Sequence, residues 1–362
     1  MQAQDLQQSH LMKPLPILLL QLVSCTAAQA LSIQLDFSFD QANGNFFTSN
    51  QPARLALQAA AADLSTALFP ALNSLSTDVF TGMSGGTTAT LNWSLRFTNP
   101  STGATEVLDT YNLAADQITI YVGMRPLLGS TLGEGGPGAA GISIGGSGSP
   151  SNWDAALDNA ESQSNAAMTR GRGPVIGQLT GSAPFGSAPG NYTLPFGIAV
   201  GNLWFDSDTD NLNGVDNAMR LEDYWHFNHT TPVAAGKNDF YSVALHELTH
   251  AIGLGGSQTW NSLIAANGTT WLGSAASALN GGGANLVSGG HIASGKISPR
   301  LSDGVFQEVV MDPTLTVGSR KALTQLDLAF LKDLGYATIP EPSTATLLLA
   351  SLAALSLRRN RK

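Results

Sequence analysis

The segment Asp239 to Gly256, DFYSVALHELTHAIGLGG, constrains this chain more than any other feature. Its apolar residues Phe240, Val243, Ala244, Leu248, Ala251 and Ile252 recur at three- and four-residue spacing, the period of a helix with one buried face. Asn238 or Asp239 is placed to cap that helix, and Gly253, Gly255 and Gly256 end it. His246 and His250 then stand one turn apart and project from the same face toward a single point. Two imidazoles so placed suit a metal ion, and Glu247, next to the first, reaches a water on that ion. A bare H-E-x-x-H also occurs on plain helix surfaces, so the rest of the chain must discriminate.

Three further features do so. The motif runs on to Gly253 as H-E-x-x-H-x-x-G, Val309-Val310-Met311-Asp312-Pro313 lies downstream, and Ala322 to Gly335 (ALTQLDLAFLKDLG) reads as an amphipathic helix. With the order strand, helix, strands ahead of them, these features resemble the metzincin zinc peptidases over nearly all of residues 31–338. The resemblance implies an α/β (α+β) fold: a twisted mixed sheet and catalytic helix above a smaller, mostly irregular C-terminal half that ends in a helix. It also implies Zn2+ on His246 and His250, Glu247 as general base, a Met-turn with Met311 beneath the metal, and endopeptidase action on a protein or peptide substrate.

One departure matters. The metzincin signature carries a third histidine three residues after the glycine, where this chain has Gly256, which offers a metal nothing. His226, His229 and His291 are the other histidines of residues 31–338, and no Asp or Glu lies between His250 and His291. His291 follows a Gly-rich stretch and precedes Met311, an order similar to leishmanolysin-like metzincins, in which an insertion separates glycine from third ligand. That likeness assigns His291 as the third ligand; a loop histidine is the alternative. Gly256 also motivates a different class, a catalytically silent surface or extracellular-matrix protein that keeps the fold, and a zinc hydrolase of non-peptide substrates is a third reading. His226 and His229, within Trp225-His226-Phe227-Asn228-His229, read as a packed aromatic segment, with a second ion site or a cleft wall as the alternative. Tyr336 follows the closing helix, and only its proximity in sequence suggests a role at the oxyanion.

Ahead of the motif, Ser32 to Phe39, Ala89 to Phe97, Gln117 to Met124 and Gly197 to Phe205 read as strands, and Asn50 to Leu72 and Ser151 to Met168 as helices, the latter capped by Ser151. Gly129 to Ser151 reads as a Gly/Ser-rich loop. Its Gly133-Glu134-Gly135-Gly136-Pro137-Gly138 fits G-x-G-x-x-G, but Pro137 and Gly138 stand where a dinucleotide site starts a helix. Asp206, Asp208, Asp210 and Asp216 alternate as in Ca2+ loops, yet Asn211 and Asn217 occupy the positions where an EF-hand needs Gly and Glu. The acids therefore read as a solvated turn or an irregular Ca2+ site on Asp206, Asp208 and Asp210.

Both ends carry address signals. Lys13, the apolar run Leu15 to Val23 and Ala28-Gln29-Ala30 follow the order of a signal peptide over residues 1–30, for which Met12 is an alternative start. Leu22-Val23-Ser24-Cys25 also resembles a lipobox, which would lipidate Cys25. Over residues 339–362, Pro340-Glu341-Pro342, an apolar stretch from Ala345 to Leu357 and a basic end resemble a PEP-CTERM tail. That resemblance implies a Gram-negative source, an exosortase-like processing partner and a surface or extracellular location after transient membrane anchoring; an ordinary membrane anchor is the alternative. Cys25 is the only cysteine, so the body has no disulfide and no cysteine nucleophile. A net charge of -9 without a basic stripe gives no footprint for nucleic acid.

Overall fold

The computed structural model describes residues 30–40, 45–69, 71–208 and 218–338. The leader, apart from Ala30, and the whole C-terminal tail lie outside them, as do Asp210 and Asp216. No helix among the described residues is long and apolar enough to cross a membrane.

The main elements of the first two thirds are runs of strands separated by helices: β1 (Ser32–Asp36), α1 (Gln51–Thr66), β2 (Val79–Ser84), β3 (Thr87–Thr98), β4 (Thr105–Leu108), β5 (Gln117–Arg125), β6 (Gly133–Pro137), β7 (Ala139–Ser147), α2 (Trp153–Met168), β8 (Val175–Ser182), β9 (Asn191–Gly197), β10 (Val200–Asp206) and α3 (Phe240–Ala251). A mixed sheet runs in the order β1-β5-β10-β6, with β1, β5 and β10 parallel and β6 antiparallel at the edge. Its central strands β5 and β10 are nearly continuous in buried residues, as strands covered on both faces must be. Helices α1 and α3 pack together, and α3 lies against β6 and β10, so one apolar layer seats the histidine helix on the sheet. A second antiparallel sheet sets β3 between β7 on one side and β2 and β4 on the other, and α2 packs on it. The molecule is thus mixed α/β with several sheets, of the broad α+β class.

The stretch expected as a Gly/Ser-rich loop is largely β6 and β7. Glycines hid these strands because they carry no apolar alternation, and in β6 the bare backbone is required. A Cβ on Gly135 would stand 2.4 Å from the Glu247 carbonyl oxygen, and one on Gly133 2.9 Å from Glu247 Cγ. Some element ends also differ. Helix α1 stops at Thr66 rather than Leu72, Gly197 belongs to β9 rather than β10, and α2 starts after a 3-10 turn at Pro150–Asn152. Ser151 therefore does not cap α2; its hydroxyl pairs with Ser149 Oγ at 2.8 Å.

After α3 the chain is mostly irregular. A tight hairpin pairs β11 (Val287–Ser288) with β12 (His291–Ile292), and α4 (Gln325–Asp333) closes the described chain within the expected segment, a Thr324/Asp327 capping box starting it.

Candidate metal centre

Helix α3 is held at both ends. Asp239 Oδ2 accepts from the Ser242 amide at 3.1 Å, capping the first turn, and Arg320 pairs with the same carboxylate at 2.7 Å. At the far end Gly253 takes φ +109° and Gly255 φ +85°, turning the chain back so that the Leu254 carbonyl lies 2.8 Å from His250 Nδ1. A Cβ on Gly255 would meet the Gly290 oxygen at 2.3 Å, so the return of the chain and the approach of the β11–β12 hairpin require glycine there.

His246, His250 and His291 converge. His250 Nε2 lies 3.1 Å from His246 Nε2 and 3.2 Å from His291 Nε2, and among the described residues these three form the group able to hold a metal ion. Each Nδ1 faces a backbone carbonyl: Val310 for His246 at 2.8 Å, Leu254 for His250 at 2.8 Å, Gly289 for His291 at 3.1 Å. Those carbonyls fix the ring protons on Nδ1. Three Nε2 lone pairs then point at one another with no proton between them, an arrangement that a cation relieves. Tetrahedral bonds of about 2.0–2.1 Å place nitrogens roughly 3.3 Å apart, close to the spacing observed. Burial keeps the rings neutral, the form that ligates: it holds His246 well below the usual histidine range, pushes His250 down to about 4 and lowers His291.

The Val309–Asp312 segment ties the three histidines together. The Val310 carbonyl takes His246, and the Met311 carbonyl accepts from the Ile292 amide at 3.0 Å, next to His291. Met311 itself is fully buried. Asp327 at the start of α4 accepts from the Val310 and Met311 amides at 3.1 and 3.2 Å, so the closing helix anchors the turn. None of these carbonyl and carboxylate partners was legible in the sequence, although the Thr324-x-x-Asp327 spacing signals the capping box that holds the carboxylate.

Glu247 lies beneath β6 at Gly133 and opens into the same cleft as the histidines. Burial, aided by the nearby Glu134 carboxylate, pushes it up to about 8, well above an ordinary glutamate. The cleft encloses about 950 Å3 between β6 on one side and residues 310–317 on the other, with Gly256 and Lys321 also in its wall. Gly256 therefore lies at the site without serving it, and His291 occupies the third corner.

The remaining candidates fall elsewhere. His226 Nε2 is 3.2 Å from Thr231 Oγ1 and its Nδ1 accepts from the Ala234 amide at 3.4 Å, while His229 stacks beside Tyr241; neither joins the triad or lines this cleft. Tyr336 is buried and donates its hydroxyl to the Ile252 carbonyl at 2.7 Å, steadying the end of α3. Asp206 and Asp208 are buried, which corrects the solvated-turn expectation for both, and Asp206 Oδ1 accepts from the Leu127 and Asp208 amides at 2.9 Å each. Asp210, the third expected Ca2+ residue, lies outside the described residues. Comparison with known proteins finds no matching family model, no matching curated protein and no matching solved structure.

Proposed function

We propose that this chain is a zinc-dependent endopeptidase of metzincin-like architecture, in which His246, His250 and His291 hold the ion and Glu247 is the general base. The observation that carries the reading is the convergence of three Nδ1-protonated imidazoles beside a buried glutamate in one open cleft. The donor set fits zinc: three neutral imidazoles suit it, and they leave one position open. Bound there, zinc supplies carbonyl polarisation and acidifies water toward a pKa of about 7.

Glu247 then takes the proton of the attacking water as its oxygen bonds to the peptide carbonyl carbon. As the carbon–nitrogen bond breaks, Glu247 returns that proton to the leaving amine. Burial pushes this carboxyl up to about 8 in the protein alone, and a bound dication would draw it down, which would suit it to both steps. The β6 edge favours an extended peptide substrate. The Asp206 amide bonds to the Leu132 carbonyl and the Gly138 amide to the Val200 carbonyl, so Leu132, Glu134, Gly136 and Gly138 turn their backbone groups toward β10. Gly133 and Gly135 then direct theirs outward along the cleft, ready to pair with an added strand. Pro137 shares that outward parity, where its missing N–H costs no ladder bond to β10.

The leader and tail motifs complete the proposal: an exported enzyme, at the cell surface or outside, whose tail an exosortase-like partner processes. The test is casein cleavage by the purified zinc-loaded protein beside Glu247→Gln. Cleavage by the wild type alone, with one zinc in each protein, supports the reading. Equal silence of both proteins, folded and zinc-loaded, would favour the surface-protein alternative.

A further inference from the structure

Strand β6 has the sequence Gly-Glu-Gly-Gly-Pro, so before its closing proline Glu134 carries the strand's one side chain. The neighbouring positions cannot acquire one without displacing α3, since Cβ atoms at Gly133 and Gly135 would run into Glu247. An extended peptide lying on this edge therefore meets bare backbone except at Glu134. Because Glu134 turns its own N–H and C=O toward β10, it presents a non-hydrogen-bonded position to an antiparallel strand on its other side. At such positions opposed side chains stand closest, with Cβ atoms about 4.5–5.5 Å apart.

The charge at that position is available. Glu134 is half-exposed and lines the cleft. Its partner Arg125 approaches only to 3.6 Å, longer than a hydrogen bond, with the guanidinium held over the Trp204 ring at 3.7 Å. The carboxylate oxygens can thus accept from a second cation. Resting on the peptidase reading above, we propose that Glu134 is a specificity-determining residue that selects substrates with a lysine or arginine at the position paired to it.

The experiment uses the full zinc-loaded chain and a set of quenched fluorescent peptides of one extended sequence, each position in turn carrying Lys, Ala or Glu. The proposal expects one position at which Lys is cleaved with higher kcat/KM than Glu. Glu134→Gln lowers that Lys-to-Glu ratio by roughly 1.5- to 5-fold, the range of an exposed ion pair, and Glu134→Lys inverts it. The ratio also shrinks with added salt. Taking ratios within each protein removes any general loss of activity in the variants. Cleavage with no preference for Lys at any position, or a ratio unmoved by both substitutions, overturns the Glu134 assignment and leaves the peptidase reading standing. A wild type that is folded and zinc-loaded yet cleaves no peptide overturns both.

Discussion

Replacing Asp327 with asparagine tests whether the closing helix holds the metal site together. The Asp327 carboxylate accepts from the Val310 amide at 3.1 Å, the Met311 amide at 3.2 Å, the Thr324 amide at 3.0 Å and the Thr324 hydroxyl at 2.7 Å. The first two atoms belong to the turn whose Val310 carbonyl orients His246. Asparagine has one acceptor oxygen and one NH2 group. Its best placement leaves the oxygen with the three donors to Oδ2 and sets its NH2 against the Met311 N–H, a buried donor left unsatisfied at about 1–3 kcal/mol. The three surviving bonds lose their charge, worth about another 1 kcal/mol each. The sum predicts a loss of roughly 4–6 kcal/mol, a large part of the 5–15 kcal/mol that ordinarily holds a domain folded. Because the lost contacts orient His246, the proposed zinc site should also lose about 10- to 100-fold in affinity. Urea denaturation of the chelator-treated protein measures the first effect, and competition with a zinc chelator the second. A variant with an unchanged midpoint and wild-type zinc affinity would refute the argument that the α4 cap supports His246.

Three other outcomes follow from named contacts. Arg170 is fully buried and donates to four carbonyls, those of Asn73, Gln117, Ile198 and Ala114, at 2.7–3.0 Å; Arg170→Met should cost more than about 4 kcal/mol by urea denaturation, and a loss under about 1 would contradict the buried network. Gly135→Ala places a Cβ 2.4 Å from the Glu247 carbonyl oxygen, whereas Gly136→Ala meets nothing within 4 Å; the first should lower both melting temperature and proteolysis, the second neither, and equal behaviour would show that β6 does not rest on α3 as described. In the metal-free protein, His250 titrates near 4 when folded and about 6.5 when unfolded, so the unfolded chain binds more protons in that window and stability falls as pH drops through it. His250 alone contributes at most roughly 3 kcal/mol to that fall, since its ring opens partly to the cleft. Glu247, raised to about 8, acts in the opposite sense over the same window, so the measurement is the pH dependence of urea stability in chelator-treated wild type against His250→Gln, and equal slopes from pH 7 to 5 would contradict the burial of His250 in the neutral form.

What the sequence by itself determined is local. The period of Phe240 to Ile252, the Asp239 cap and the terminal glycines specify helix α3, and the i, i+4 spacing then puts His246 and His250 on one face whatever the helix packs against. Runs such as QITIYVGMR announce buried strands for the same reason, because alternation and apolar content are properties of neighbours in the chain. Strand β6 was not legible, since glycines chosen for close approach to Glu247 erase the pattern that marks a strand. Nor could sequence decide what lies across space. His291 reaches the pair on α3 because the Gly289–Gly290 turn, the Met311 carbonyl and Asp327 bring together segments tens of residues apart. The same long-range packing buried Asp206 and Asp208 and spent the Tyr336 hydroxyl on a helix end. Helix and strand periodicity is set by adjacent backbone geometry, but the convergence of the three histidines, the positions of their protons and the shape of the cleft depend on contacts that exist only once the chain has closed on itself.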